Sequence, residues 1–474
     1  ALWPPPRREC MEGALPKLQS VIDKLGFRYA QLRIILLAGG LWLADGSELL
    51  VINVVSKTVS KEWDLTVTER GSITSSVFFG MFLGSMMSGE VGDVYGRRLP
   101  VILSYAGIAV LSVLSVYATG IYSLLFFRSL IGVAMGYGQP SGYAFALEVT
   151  PTDFRVLTCC SIIFFFTLGA IFGAGLVYAD DASMKNMHWR WMVMMGAIPS
   201  VLLGSLAAAF LQESPFYLSG CGRKVEALEV LAAMRKENGL SESESIDFQK
   251  PPQVQHEPSR YDVILGPSLL RTTVICCYTC FTVNMCGHGA LYAFSQLLPE
   301  LKSSVSPAGR LLMGLFAEIP GMVFACLVMQ YLTRKTGIHM ALTGIVLSTS
   351  LFLYAAEQSQ DCAFCDGLMQ VCFCGLRLFS SAGFAVTYCY INEVFPTKAR
   401  ATGNGVCFGA GRVAALVAPF VYEWLTSWTE HSMAFIYFLV FVSGMCLILS
   451  CFLEIETAGM ALKEAEDEIE PLKA

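Results

Sequence analysis

Six ionisable residues stand inside long apolar stretches of this 474-residue chain: Asp45, Glu48, Arg128, Glu318, Arg377 and Arg412. Placing one charge near the centre of a bilayer costs about 2.5–3.5 kcal/mol on insertion scales, so such groups mark proton relays, ion paths or ligand sites. Three acids and three bases imply a paired, nearly neutral cavity. Asp45 and Glu48, three residues apart with Gly46 between them, share a helix face. Mutual repulsion and burial suit one of them to carry a proton; the alternative is a structural pair with arginines on facing helices. Arg128 either binds an anionic ligand or neutralises an acid of the first helix. The planar donors of Arg377 and Arg412 suit a carboxylate, and Glu318 is a site residue or an arginine's structural partner. His288 can titrate. Tyr292, Phe294, Tyr388 and Tyr390 offer stacking surface for an aromatic ligand or ordinary packing.

The elements that must position these groups follow from composition. With 54% apolar and 15% charged residues, the chain is too apolar for an ordinary soluble protein, and a membrane is its natural solvent. A net charge of −6 excludes a nucleic-acid partner, which requires a clustered basic surface. A span needs roughly 20 apolar residues, and such windows fall at 33–55, 72–91, 100–119, 121–146, 156–179 and 190–212, then at 271–298, 308–332, 338–356, 367–391, 402–425 and 433–453. The polar stretch between the two sets, from Glu213 to about 270, is a linker. It holds one amphipathic helix, KVEALEVLAAMRKENGL, and then SESESIDFQKPPQVQHEPSR, which cannot build a core. No apolar core precedes the first span, so that span itself is expected to direct insertion. The seventeen cysteines mostly lie in apolar runs and read as small buried hydrophobes. Cys362 and Cys365 form a Cys-x-x-Cys without a second ligand pair, so no metal site is expected.

Two motifs organise the twelve windows. EVTPTDFR, from Glu148 to Arg155, recurs as EVFPTKAR, from Glu393 to Arg400, after the fourth and the tenth span. Equal placement implies two six-helix halves in the same orientation. GDVYGRR lies between spans two and three, where Gly92 and Gly96 permit a tight turn. There Asp93, Arg97 and Arg98 can pair across the face and hold one conformer. The counterpart YLTRKTGIHM keeps Arg334, Lys335 and Gly337 but has Tyr331 where an acid is expected, which predicts a weaker latch. Gly92, Asp93, Gly96, Arg97, Arg98, Glu148, Arg155, Glu393 and Arg400 are therefore the candidate gating residues. The short loops carry equal numbers of Lys and Arg on the two faces. Lys17, Lys24, Arg28 and Arg33 before the first span, with Arg223, Lys224, Arg260 and Arg271 around the linker, place both termini and the linker in the cytoplasm.

The loop motif, ESPFYL at Glu213–Leu218 and IETAGMALKE in the tail resemble segments of major facilitator transporters. LGFRYAQLRIILLAGGLWLADGSELL and GAGRVAALVAPFV are similar to the branch holding the synaptic-vesicle-glycoprotein-related transporters and the aromatic-acid:proton symporters. The resemblance implies an all-α membrane protein of twelve transmembrane helices in two parallel six-helix repeats. The expected segments are 1–32 as an N-terminal segment, 33–212 and 271–453 as the halves, 213–270 as the linker and 454–474 as the tail. It further implies alternating access for a small organic ion, a carboxylate above all, by proton symport or uniport. Phe216 and Gln212 depart from the sugar-porter pattern around Ser-Pro and argue against a hexose, leaving a sugar or polyol carrier as the alternative. A non-transporting membrane receptor or scaffold is the alternative of another class. LGAIFGAG in the fifth span lacks the proline of drug:proton antiporters. With no phosphate loop, nucleophile constellation or paired metal motif, neither enzyme activity nor a cofactor is expected. The partners expected of a monomeric chain in a plasma or vesicle membrane are a small solute, protons and lipid.

Overall fold

The computed structural model describes residues 18–240, 248, 261–301, 305–358, 363–395 and 399–457. Twelve helices cross the membrane: α1 Tyr29–Glu62, α2 Val67–Tyr95, α3 Arg98–Ser115, α4 Ile121–Glu148, α5 Arg155–Asp180, α6 Trp189–Phe210, α7 Leu270–Leu297, α8 Pro307–Tyr331, α9 Arg334–Gln358, α10 Ala363–Val394, α11 Arg400–Thr429 and α12 Ala434–Ser450. Ten of them are long and apolar enough to span by composition alone. The exceptions are α2, diluted by serines and glycines, and α12, which at 17 residues covers about 26 Å. Most expected windows are shorter than the helices that contain them, because polar residues continue the helices beyond the hydrocarbon. Large apolar side chains such as Val110, Phe126, Leu202, Val323, Leu347 and Phe441 are left exposed on outer faces, where lipid covers them. The exposed, stacked Trp424 and Trp428 end α11, in the manner of an interfacial aromatic belt.

The two halves repeat one packing scheme. Helix α1 packs on α5 and α2 on α4, while α7 packs on α11 and α8 on α10; α2 meets α11 and α5 meets α8 across the halves. Small residues make this possible. A Cβ added at Gly80 or Gly84 of α2 would collide with the backbone of α4 at Ser129 or Val133, and one at Gly132 or Gly136 with α2 at Val77 or Met81. The two backbones therefore interlock, as membrane helices do when small residues line the contact.

The helices fill all but one turn of GDVYGRR. Helix α2 continues through Gly92 and Asp93 to Tyr95, so the connection to α3 is only Gly96 and Arg97. The tight turn belongs to Gly96 alone, whose φ of +96° is strained for a residue with a Cβ. The amphipathic linker helix is present at Lys224–Glu237, burying Ala227, Leu231 and Met234. Asn238 beyond it accepts from the Ala30 backbone N–H at 2.9 Å, tying it to the start of α1. Among the named sequence features, the side chains of Gly92, Asp93 and Arg400, and Lys17, Arg260, Cys362, most of 241–260 and the tail from 458, lie outside the described residues.

The apolar core is shared unevenly. At the face opposite the linker, one buried cluster draws on both halves, with Leu50, Val55 and Trp189 packed alongside Tyr292, Phe294 and Phe435. At the linker face each half has its own cluster, and Ala415 and Cys160 are the buried residues contributed by the other half.

Candidate functional site

Between the halves, at mid-depth, lies a cavity of about 100 Å³. The first half contributes Trp42, Met81, Gln139, Phe166 and Thr167, and the second contributes Asn284, His288, Glu318, Arg377, Ser380, Ser381, Phe384, Tyr388 and Arg412. Its wall is aromatic with a few convergent polar groups, the composition of a small-molecule site. Helix α7 borders it through a π turn at Met285–Gly289, whose Gly287 and His288 line it. Such a turn loosens the regular ladder, and here the Gly287 carbonyl accepts from Arg377 Nη1 at 2.9 Å.

The six intramembrane ionisable residues sort into three sets. In the first, buried Arg128 donates from Nη1 to Glu48 Oε2 at 2.8 Å and from Nη2 to Ser115 Oγ at 3.1 Å, while Ser112 Oγ donates to Glu48 Oε1 at 2.7 Å. This network braces α1, α3 and α4 away from the cavity wall. In the second, Arg377 pairs with Glu318, and Thr167 Oγ1 of the other half donates to Glu318 Oε2 at 2.6 Å. In the third, Arg412 Nη2 donates to Gln139 Oε1 at 2.6 Å, and Gln139 Nε2 donates to Asp45. The expected three-against-three pairing is present, with a neutral amide inserted into one pair.

Asp45 and Glu48 hydrogen-bond different partners. Their sites sit one turn apart along α1 and reach different partners, because three residues advance a helix by 300° and about 4.5 Å. Glu318, Arg377 and Arg412 line the cavity, Asp45 sits one hydrogen bond behind it, and Glu48 and Arg128 neutralise each other. His288 faces the cavity inside a ring of Phe78, Phe166 and Phe384, with ring centroids at 5.3, 5.5 and 5.7 Å. Of the four aromatic candidates, Tyr388 lines the cavity. Tyr292 donates to Glu423 at 2.6 Å, Tyr390 donates to the Ile455 carbonyl, and Phe294 packs in the core edge-on to Phe352 and tilted against Phe373. Gln139, Thr167 and Asn284 carry no charge, and nothing in their neighbourhood in sequence singles them out.

The loop motifs form two copies of one network. Arg97 pairs with Glu148 at 3.4 Å, and Glu213 accepts the backbone N–H groups of Arg97 and Arg98 at 2.9 and 3.2 Å; Ser214 donates to Glu148. In the second half Arg334 pairs with Glu393 at 3.1 Å, and Glu456 accepts the N–H groups of Arg334 and Lys335 at 2.9 and 3.2 Å; Thr457 donates to Glu393 at 2.7 Å. Glu213–Ser214 of ESPFYL and Glu456–Thr457 of the tail motif are thus structurally equivalent, each pair placing a carboxylate at a helix N-terminus where exposed N–H groups and the dipole favour it. The described ion pairs lie within each half, where the Glu213 and Glu456 carboxylates hold each turn, and the Asp93 side chain lies outside the described residues. Arg155 reaches neither network's acid in its described bonds and donates to Gln19 of the N-terminal helix Leu18–Leu25 at 2.8 Å.

At the opposite face the halves are joined directly. Lys57 pairs with Glu300 at 2.7 Å, Gln296 donates to the Asn53 carbonyl at 2.8 Å, and the Arg70 guanidinium holds the buried Glu423 through two hydrogen bonds. Glu423 stands two residues from the edge of its expected window and is not among the six candidate charges.

The family model described as sugar (and other) transporter matches residues 45–468. The chain is 27% identical over 470 residues to a Caenorhabditis elegans protein named putative transporter svop-1, covering 94% of this chain and 87% of that one. It is 27% identical over 474 residues to the synaptic vesicle 2-related protein of Xenopus laevis, covering 94% and 82%. It is also 27% identical over 488 residues to organic cation/carnitine transporter 7 of Arabidopsis thaliana, covering 93% and 94%. Among solved structures, the inward open conformation of the Escherichia coli xylose transporter XylE superimposes with a TM-score of 0.68 at 16% identity, covering 92% of this chain and 99% of that one. The bromodeoxyglucose-bound form of the same proton:xylose symporter gives 0.66, also at 16% identity, covering 91% and 97%.

Proposed function

We propose that this chain, which belongs to the sugar (and other) transporter family of the major facilitator class, carries a small organic carboxylate across its membrane by alternating access, coupled to protons. The observation that supports a carboxylate is the charge left on the cavity wall. Arg377 pairs directly with Glu318, whereas Arg412, among the described residues, hydrogen-bonds the neutral amide oxygen of Gln139 and, at 4.0 Å, the Met81 sulfur, with no carboxylate in direct contact. A guanidinium held by a neutral amide and a thioether in an aromatic cavity is suited to exchange them for a carboxylate. The candidate gating residues would hold each half's helix ends rigid while the halves rock about the cavity, and the lysines and arginines around the linker assign the termini and linker to the cytoplasm.

Uptake of labelled carboxylates, cations and sugars into proteoliposomes, with and without an inward proton gradient, tests this reading. Gradient-stimulated uptake of a carboxylate such as benzoate, with its neutral amide excluded and Arg412→Lys weakening binding about ten-fold or more, is the expected result; equal uptake of the amide overturns it. A sugar or polyol carrier is the second reading, favoured by the neutral hydrogen-bonding groups Gln139, Asn284, Ser380 and Ser381 on the same wall, and uptake of a sugar alone would establish it. Failure of the folded protein to move any solute of the panel would favour a receptor or scaffold.

A further inference from the structure

Asp45 is wholly buried, its Oδ2 accepts from Gln139 Nε2, and its Oδ1 has no hydrogen-bond partner among the described residues. A buried carboxylate oxygen without a donor is costly, so this group depends on whatever positive charge reaches it. The groups facing it are Gln139 of α4, Arg412 of α11 and Tyr105 of α3, with Glu48 a turn along α1. Tyr105 spends its hydroxyl on the Leu37 carbonyl and Glu48 is held by Arg128. Arg412 is therefore the countercharge of Asp45, and Gln139 is, among the described residues, the side chain bonded to both.

The orientation of Gln139 is set by its neighbours. Arginine can only donate and a carboxylate can only accept, so the amide must turn its oxygen to Arg412 and its nitrogen to Asp45. The bridge also joins the two halves, since α1 and α4 belong to one and α11 to the other, and Arg412 and Gln139 both line the cavity.

We infer that Gln139 links occupancy of the cavity to protonation of Asp45. An anion that takes Arg412 is a stronger, charged acceptor and displaces the amide oxygen. Arg412 is then neutralised, the amide no longer joins the two ends, and the buried Asp45 takes a proton from water. Anion and proton are thus bound together, and Gln139 is a positioning residue for this coupling. The inference rests on the carboxylate reading given above.

Full-length protein in weakly buffered detergent solution with a pH indicator tests it, using benzoate as probe and benzamide as neutral control. Wild type is expected to take up about one proton per benzoate bound. Gln139→Leu and Gln139→Asn, the second polar but too short to span both partners, are expected to take up less than about a tenth of that per benzoate bound, and Asp45→Asn none. Without ligand, the infrared band of protonated Asp45, identified by its loss in Asp45→Asn, is expected to persist to higher pH in Gln139→Leu. Wild-type proton uptake per bound benzoate in both Gln139 variants overturns the inference and leaves the carboxylate reading standing. No benzoate binding by wild type, with the Asp45 band still moved by Gln139→Leu, overturns the carboxylate reading and supports the link. An unmoved band together with no binding overturns both.

Discussion

At the scale of single residues, what separates the six intramembrane charges is the partner each one faces. Glu48 and Arg128 satisfy each other, and the cost of burying them is met inside one half. Glu318 and Arg377 have a different task, because Thr167 brings the other half to the same carboxylate. Replacing Glu318 by Gln removes a charged acceptor from both donors, each such bond contributing about 1.5–3 kcal/mol. Transport by Glu318→Gln is expected to fall at least about ten-fold while the detergent-extracted protein remains monodisperse. Retention of full uptake would show that this pair is spectator structure. Arg377→Lys is expected to behave similarly, since an ammonium cannot reach both Glu318 and the Gly287 carbonyl with fork geometry.

At the scale of elements, the interlocked α2 and α4 form the rigid spine of the first half. An alanine at Gly132 places its Cβ against the Val77 carbonyl, and the helices must separate. Overpacking of this kind costs about 1–3 kcal/mol, so Gly132→Ala is expected to lower the thermal midpoint in detergent by several degrees. Gly175→Ala, which meets nothing within 4 Å, is the control expected to leave it unchanged. Equal midpoints for the two variants would contradict close helix contact at α2 and α4. The same reasoning explains why Gly96 and Gly92 of one motif have unequal roles: a positive φ is needed at the turn, whereas Gly92 continues a helix.

At the scale of the whole molecule, the distribution of core and ion pairs describes one arrangement of the halves. They share a core and the Arg70–Glu423 and Lys57–Glu300 pairs at the face opposite the linker, and keep largely separate cores at the linker face. Opening the opposite face must break the Arg70–Glu423 bonds, whereas the Tyr292–Glu423 bond lies within the second half. With charge-assisted bonds contributing about 1.5–3 kcal/mol each, Glu423→Gln is expected to shift the conformational equilibrium toward the open opposite face by about ten-fold or more. Faster labelling of a single cysteine introduced at Asn53 by a membrane-impermeant maleimide reads this directly. An unchanged labelling rate would mean that the pair does not hold the halves together.

Much of this architecture was legible in the chain itself, for physical reasons. Twelve apolar windows and a duplicated Glu-to-Arg motif determine twelve spans in two like-oriented halves, because backbone polar groups in lipid must bond within a helix and a repeated motif at equal positions repeats the topology. The cost of charge in hydrocarbon likewise picks out Asp45, Glu48, Arg128, Glu318, Arg377 and Arg412 without any coordinates. Which charge faces which was left to tertiary structure, since partners such as Asp45 and Arg412 lie 367 positions apart and meet only when α1, α4 and α11 converge. Neutral residues gave no signal in one dimension, so the bridge through Gln139, the cross-half bond from Thr167 and the equivalence of Glu213 with Glu456 emerge only in the packed molecule. Hydropathy reports what a residue costs in lipid, whereas function here depends on which neighbour meets that cost, and only the folded packing of the two halves decides that.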